Sequence, residues 1–193
     1  MLDYIKGDIA DLTPTYVILE QNGLGYEINI SLFSYSQLQG HNHYKIYVHQ
    51  VIREDAHLLF GFSTLDERRV FRLLISVSGV GANTARMILS SMSPSEVQQA
   101  IAEGNVNLLQ SIKGIGAKSA QRIIVDLKDK VVKSTESAQL FKTTDNTIKK
   151  EALSALEILG FTRKQAEKVV DNLLMKNTEM PVEDLIKQAL KLL

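Results

Sequence analysis

Gly79-Val80-Gly81-Ala82 and Gly114-Ile115-Gly116-Ala117 decide how this chain is read. The second stretch repeats the first at an offset of 114 − 79 = 35 residues, and both lie between apolar helical runs. Val70, Phe71, Leu73, Leu74 and Val77 lead into the first, and Ala85, Ile88 and Leu89 follow it. Val106, Leu108, Leu109 and Ile112 lead into the second, and Ala120, Ile123, Ile124 and Leu127 follow. Two glycines around one apolar residue predict a sharp turn between helices, anchored by Val80 or Ile115 pointing back into the helix pair. Such a turn exposes the backbone N–H groups that open the next helix, where unpaired donors and the positive end of the helix dipole suit a phosphate. One copy reads equally well as an ordinary helix hairpin with a glycine cap. Two copies with matching flanks read as tandem helix-hairpin-helix elements that hold a duplex by its backbone, a contact that carries no base information.

Charge points to the same region. The 193 residues are neutral overall, with 22 Lys/Arg against 22 Asp/Glu. Residues 1–62 nevertheless hold three cations and seven acids, a net of −4, whereas residues 65–133 hold ten and six, a net of +4. The stretch with both glycine turns is therefore the basic one. With 45% hydrophobic residues the chain can bury a substantial core, and with no cysteine it has neither disulfides nor thiolate metal sites. Met1–Lys6 lacks a signal-peptide core, and no apolar run is long enough to span a bilayer, so the chain reads as cytoplasmic.

Upstream of the turns, residues 1–63 read as β. Alternation predicts strands over Leu2–Leu12, Tyr16–Gln21, Tyr26–Ile30, Tyr44–Ile52 and His57–Phe62, with a helical turn or two over Ser31–Leu38. Five short strands followed by helices suggest a small OB-type barrel. Its only cations are Lys6, Lys45 and Arg53, so packing or assembly is a better role for it than a single-strand groove. Arg53-Glu54-Asp55-Ala56, between two apolar strands, reads first as a solvated turn. Its two carboxylates could help bind a cation, although no third acid is nearby in sequence; beside DNA they would repel phosphates.

Residues 64–133 read as helical: Asp66 and Glu67 in the first turn of a helix to about Ser76, then Ala82–Ser91, then a helix opened by Ser93-Pro94-Ser95-Glu96 as a capping box and ending near Gly104. Asn105 caps a short helix, Val106–Ser111, and a long one covers Ala117–Val132. Residues 134–147 are polar and read as a flexible linker. Residues 148–193 read as three short amphipathic helices, Ile148–Leu159, Arg163–Leu174 capped by Thr162, and Val182–Leu192 after Pro181. A bundle this small is marginal as a core and suits docking; Leu156, Leu159, Leu173, Leu174 and Leu190 are candidate contact positions. The overall expectation is an α+β multidomain chain.

This order of parts resembles the RuvA family, the Holliday-junction-binding subunits of the bacterial branch-migration machinery. The likeness is carried by residues 51–62 (Val-Ile-Arg-Glu-Asp-Ala-His-Leu-Leu-Phe-Gly-Phe), by Ser78-Gly79-Val80-Gly81, and by Lys113-Gly114-Ile115-Gly116-Ala117-Lys118-Ser119-Ala120. It implies that Glu54 and Asp55 are the family's acidic pin, and that a homotetramer, or an octamer, holds a four-way junction open and square. It further implies duplex binding along the arms, a C-terminal bundle that engages the ATPase RuvB, and the resolvase RuvC as a further partner. The contact set is then Gly79, Val80, Gly81, Ala82, Asn83, Gly114, Ile115, Gly116, Ala117, Lys118 and Arg122. Asn83 stands where the second copy has Lys118 and where the family commonly has a cation; Arg86 is a candidate substitute.

No Gly-x-x-x-x-Gly-Lys-Ser/Thr is present, which assigns ATP hydrolysis to another chain, and no cofactor, metal or catalytic residue is expected. Two other readings stand beside this one. A helix-hairpin-helix DNA glycosylase/lyase would use Lys118 as nucleophile with Glu136 as the carboxylate downstream. Leu156-Glu157-Ile158-Leu159-Gly160-Phe161 resembles ubiquitin-associated three-helix bundles, which describes the tail as a docking module and names no ligand.

Overall fold

The computed structural model describes residues 2–139, 145–177 and 180–193, with the backbone alone at 132–139, 145–147 and 176. Five strands, β1 (Tyr4–Leu12), β2 (Tyr16–Gln21), β3 (Leu24–Ile30), β4 (His43–Ile52) and β5 (His57–Phe62), close into a barrel in the order β1-β2-β3-β5-β4. All pairs are antiparallel except β3 with β5, which meet in parallel at Asn29↔Phe60 and Ile30↔Gly61. Alternate residues fill the interior: Ile5, Val17, Leu19, Ile28, Ile30, Ile46 and Val48 are buried, and Leu38 of α1 (Leu32–Leu38) packs with them.

The outer side of β5 starts the second core. Phe60 and Phe62 pack their rings on Phe71, with centroids 5.4 and 4.8 Å apart. From there the core runs through α2 (Leu65–Ile75), α3 (Ala82–Ser91), α4 (Pro94–Glu103), α5 (Val106–Gln110) and the start of α6 (Ala117–Gln139). Barrel and glycine-turn helices thus form one compact unit, Met1–Val132, and Lys133–Leu193 form another.

Ser93 accepts from Glu96 N–H and the Glu96 carboxylate accepts from Ser93 N–H, as the capping box predicts. Thr162 occupies the N-cap of its helix, yet its hydroxyl donates to Gln165 Oε1 instead of capping the backbone. Asp66 and Glu67 stand in the first turn of α2 as expected, but Glu67 has a second task. Its carboxylate is buried and accepts from Ser31 Oγ, Ser34 Oγ (2.6 Å) and Ser63 N–H (3.0 Å), fastening α2 to the barrel. Burial pushes its pKa up, and these hydrogen bonds oppose that shift.

The helix expected to stop near Val132 continues to Gln139. No glycine or proline interrupts 117–139, and the polar residues Lys133, Glu136 and Gln139 are good helix formers. The expected linker therefore shrinks from both ends, because α7 (Asp145–Ile158) begins before Ile148; its remaining part, 140–144, lies outside the described residues. With α8 (Arg163–Lys176) and α9 (Val182–Leu192), α7 buries Ala152, Leu156, Ala166, Val170, Leu173, Leu185 and Ala189. Among the described residues, no helix is long and apolar enough to cross a membrane.

Candidate nucleic-acid interface

The two glycine turns have the same backbone. Gly79 has φ +89° and Gly114 φ +90°, a left-handed conformation that L side chains rarely adopt. Val80 N–H donates to Val77 O (3.0 Å) and Ile115 N–H to Ile112 O (3.1 Å), which folds each apolar residue back under its turn. Both are buried, as the sequence requires of anchors. One helical turn on, Ala85 N–H donates to Gly81 O (2.9 Å) and Ala120 N–H to Gly116 O (3.0 Å).

The second glycine of each pair differs from expectation. Gly81 is extended (φ −84°, ψ 168°), Gly116 is not left-handed either, and a Cβ on either would meet nothing within 4 Å. The turn itself therefore does not require glycine there. Gly81 also leaves α3 without a side-chain cap, so no side chain accepts from the N–H groups of its first turn. A bare backbone beside free donors is what the close approach of an external anion calls for.

Cations gather around the second turn. A groove of about 540 Å³ is lined by Ser78 and Gly79 of the first turn and by Lys118, Ser119 and Arg122 of α6. Arg122 reaches across it and donates to Ser78 O (3.3 Å), so the first turn and the start of α6 border one surface. Asn83 is exposed at the corresponding place in α3. Arg86 does not replace the missing cation: its guanidinium donates to Thr15 O and Asn29 Oδ1, both at 3.0 Å, and ties α3 to the barrel. Desolvation lowers its pKa, as expected for a partly buried structural cation.

Glu54 and Asp55 cap the β4–β5 hairpin beyond its last pair, Ile52↔His57, with Arg53 N–H donating to Ala56 O (2.8 Å) to close the loop. Both acids are exposed, and among the described residues neither has an ion-pair partner and no cluster of three metal-ligating residues occurs. Lys45, one of the barrel's few cations, lies over the rings of Tyr4 (4.0 Å) and Tyr47 (4.9 Å).

The tail positions need correction. Leu156 and Leu173 are buried core and cannot meet a partner without unfolding the bundle, and Leu174 is half-buried; Leu159 and Leu190 are exposed. The largest exposed apolar side chains there are Ile158 (84%) and Met175 (86%), which helical periodicity alone did not single out.

Comparison with known proteins bears on the whole chain. The RuvA N terminal domain matches residues 1–61, a SAM-like helix-hairpin-helix tandem matches 71–129, and the RuvA C-terminal domain matches 147–193. The Holliday junction branch migration complex subunit RuvA of Christiangramia forsetii is 53% identical over 191 residues, 99% of both chains. The chain belongs to the RuvA family. Similarity of the same kind extends to the RuvA subunits of Parabacteroides distasonis, 50% identical over 196 residues and 100% of both chains, and Flavobacterium psychrophilum, 49% over 191 residues and 99% of both. The RuvA N terminal match includes Glu54 and Asp55, and the tandem match includes both glycine turns, Lys118 and Arg122. None of this supports a glycosylase; that reading's carboxylate, Glu136, lies where the structure describes backbone alone.

Proposed function

We propose that the chain is the DNA-binding subunit of a branch-migration complex, which grips four-way junctions through their phosphates without reading sequence. The carrying observation is the repeated geometry of the two turns: matching left-handed glycines, matching hydrogen bonds, and second glycines that leave the backbone bare at the helix starts, with Lys118 and Arg122 in the groove between the first turn and α6. Helix amides supply phosphate donors, and Lys118 and Arg122 supply charge on the same face. Glu54 and Asp55, unpaired and projecting, act as the pin that repels backbones at the crossover. The subunit itself is non-catalytic and works as a cytoplasmic homotetramer, one copy to each arm, or an octamer when two tetramers close on one junction. Its C-terminal bundle engages the ATPase motor RuvB, and the resolvase RuvC acts on the junction it presents. The names of its relatives support the junction and the complex.

The test is a salt series of binding to four-way and linear duplex DNA. Wild type binds the junction more tightly, with log affinity falling by about 0.9 per phosphate neutralised for each log unit of salt. Lys118→Glu weakens both DNAs alike and flattens that slope, whereas Glu54→Gln with Asp55→Asn alters junction behaviour alone. Affinity that ignores salt, or a Lys118→Glu protein that binds as wild type does, would refute the mechanism.

A further inference from the structure

A second groove, of about 400 Å³, separates the β4–β5 hairpin from the first glycine turn. His49, Val51, Ile52 and Arg53 line it from the barrel, and Gly81 and Ala82 from the start of α3. Its walls are mixed: Gln50 and Arg53 stand beside the apolar Val51, Ile52, Ile75 and Val80. Ile52 is 65% exposed although it is the last paired residue of β4, so a branched aliphatic chain stands in water two residues from the acidic pair. His49 packs its ring on Phe71, with centroids 5.5 Å apart. Burial, and then Arg72 and Arg68, hold its pKa below the usual histidine value, so at neutral pH the imidazole is an uncharged ring.

The two ends of the groove differ in kind. One has the uncapped amides of α3, which attract a phosphate; the other has the exposed Ile52 beside Arg53, the residue that precedes Glu54 and Asp55 in the hairpin. The aliphatic side chains of Ile52 and Val51 offer nothing to a sugar-phosphate chain, but every base has a face that packs on an apolar surface, whatever its sequence.

We propose that this groove receives one nucleotide that has left its pair at the crossover, its phosphate on the amides of Gly81 and Ala82 and its base against Ile52, Val51 and His49. The assignment rests on the junction-binding function proposed above and gives it a further part. Charge repulsion separates strands but provides no surface for the bases it frees, and apolar side chains set beside unstacked bases are a recurring device of proteins that deform DNA. Ile52 is a specificity-neutral wall of this kind, and it favours the unpaired state at the point where pairs must exchange.

The experiment uses the full-length protein and a synthetic four-way junction with 2-aminopurine at the crossover. Binding of wild type raises the probe's emission, as unstacking does, and shields it from acrylamide. Ile52→Ser, read at protein concentrations that saturate the junction, leaves the probe as open to acrylamide as in a single strand. Ile52→Phe restores the shielding and shows that an apolar wall suffices. Junction binding with an unshielded probe in wild type, or with equal shielding in wild type and Ile52→Ser, overturns the groove assignment alone. Failure of wild type to bind the junction overturns the function proposed above and this assignment with it.

Discussion

Alanine at Gly79 and alanine at Gly81 are expected to fail in opposite ways. Gly79 is left-handed, so a Cβ strains the backbone by about 1–2 kcal/mol even though it meets nothing within 4 Å. Gly79→Ala therefore melts several degrees lower. Gly81 has an ordinary extended φ of −84° and equally open space. Alanine there restricts the unfolded chain, a gain of about 0.4–1 kcal/mol, and is a poorer N-cap than glycine, a loss of similar size. The two effects cancel to within about 0.5 kcal/mol, and Tm stays within a degree or two of wild type. The new methyl, however, stands where a phosphate must come within hydrogen-bonding distance of the α3 amides. Losing one charge-assisted hydrogen bond removes about 1.5–3 kcal/mol, or roughly 10- to 150-fold in affinity at 1.4 kcal/mol per decade. Gly116→Ala repeats the pattern at the second turn. Differential scanning calorimetry and fluorescence-anisotropy titration of a labelled duplex measure the two quantities on the same preparations. A Gly81→Ala protein that binds as wild type does would refute the close approach, and one that melts well below wild type would make this glycine a folding requirement.

Arg86→Ala removes two hydrogen bonds between α3 and the barrel and lowers stability by about 1–2 kcal/mol, while the salt slope of DNA binding stays the same; a flatter slope would return Arg86 to the interface. The raised pKa of Glu67 means that the folded state binds its proton more tightly than the unfolded state does. The stabilising share of that site is therefore fully present below the ordinary carboxylate value of 4.5 and is lost as pH rises through the raised folded value. Wild type should accordingly lose ground to Glu67→Gln in Tm as pH rises from 4 toward neutrality, and a gap independent of pH would contradict this. Ile158→Asp with Met175→Asp leaves both fold and DNA affinity intact but abolishes stimulation of the ATPase motor; retained stimulation would remove this face of the bundle from the docking role.

Local chemistry made much of this legible in the sequence. The helices Ala82–Ser91 and Val182–Leu192, and the strands Tyr16–Gln21 and His57–Phe62, lie where alternation, caps and breakers put them, because each signal is complete within a few residues. What sequence reasoning missed depends mostly on partners far along the chain. Arg86 is committed to Thr15 and Asn29, and Glu67 to Ser31, Ser34 and Ser63, contacts that no periodicity reveals. In the tail, leucines at helical spacing marked a face, but spacing alone cannot say whether that face turns inward. Leu156 and Leu173 went to the core, and Ile158 and Met175 to the surface. The overrun of α6 to Gln139 has another origin: a polar composition was read as a linker where, without a glycine or proline, nothing stops a helix.

The two turns share one backbone but not one charge. The helix after the second turn carries Lys118 and Arg122, the latter also reaching Ser78 of the first turn, whereas the helix after the first carries Asn83 and an Arg86 spent inside the protein. If the two turns hold DNA as proposed, a duplex drawn past them meets one firm finger and one light one. On the function proposed above, the light finger releases and regrips at each base-pair step with little ionic penalty while the firm one prevents escape.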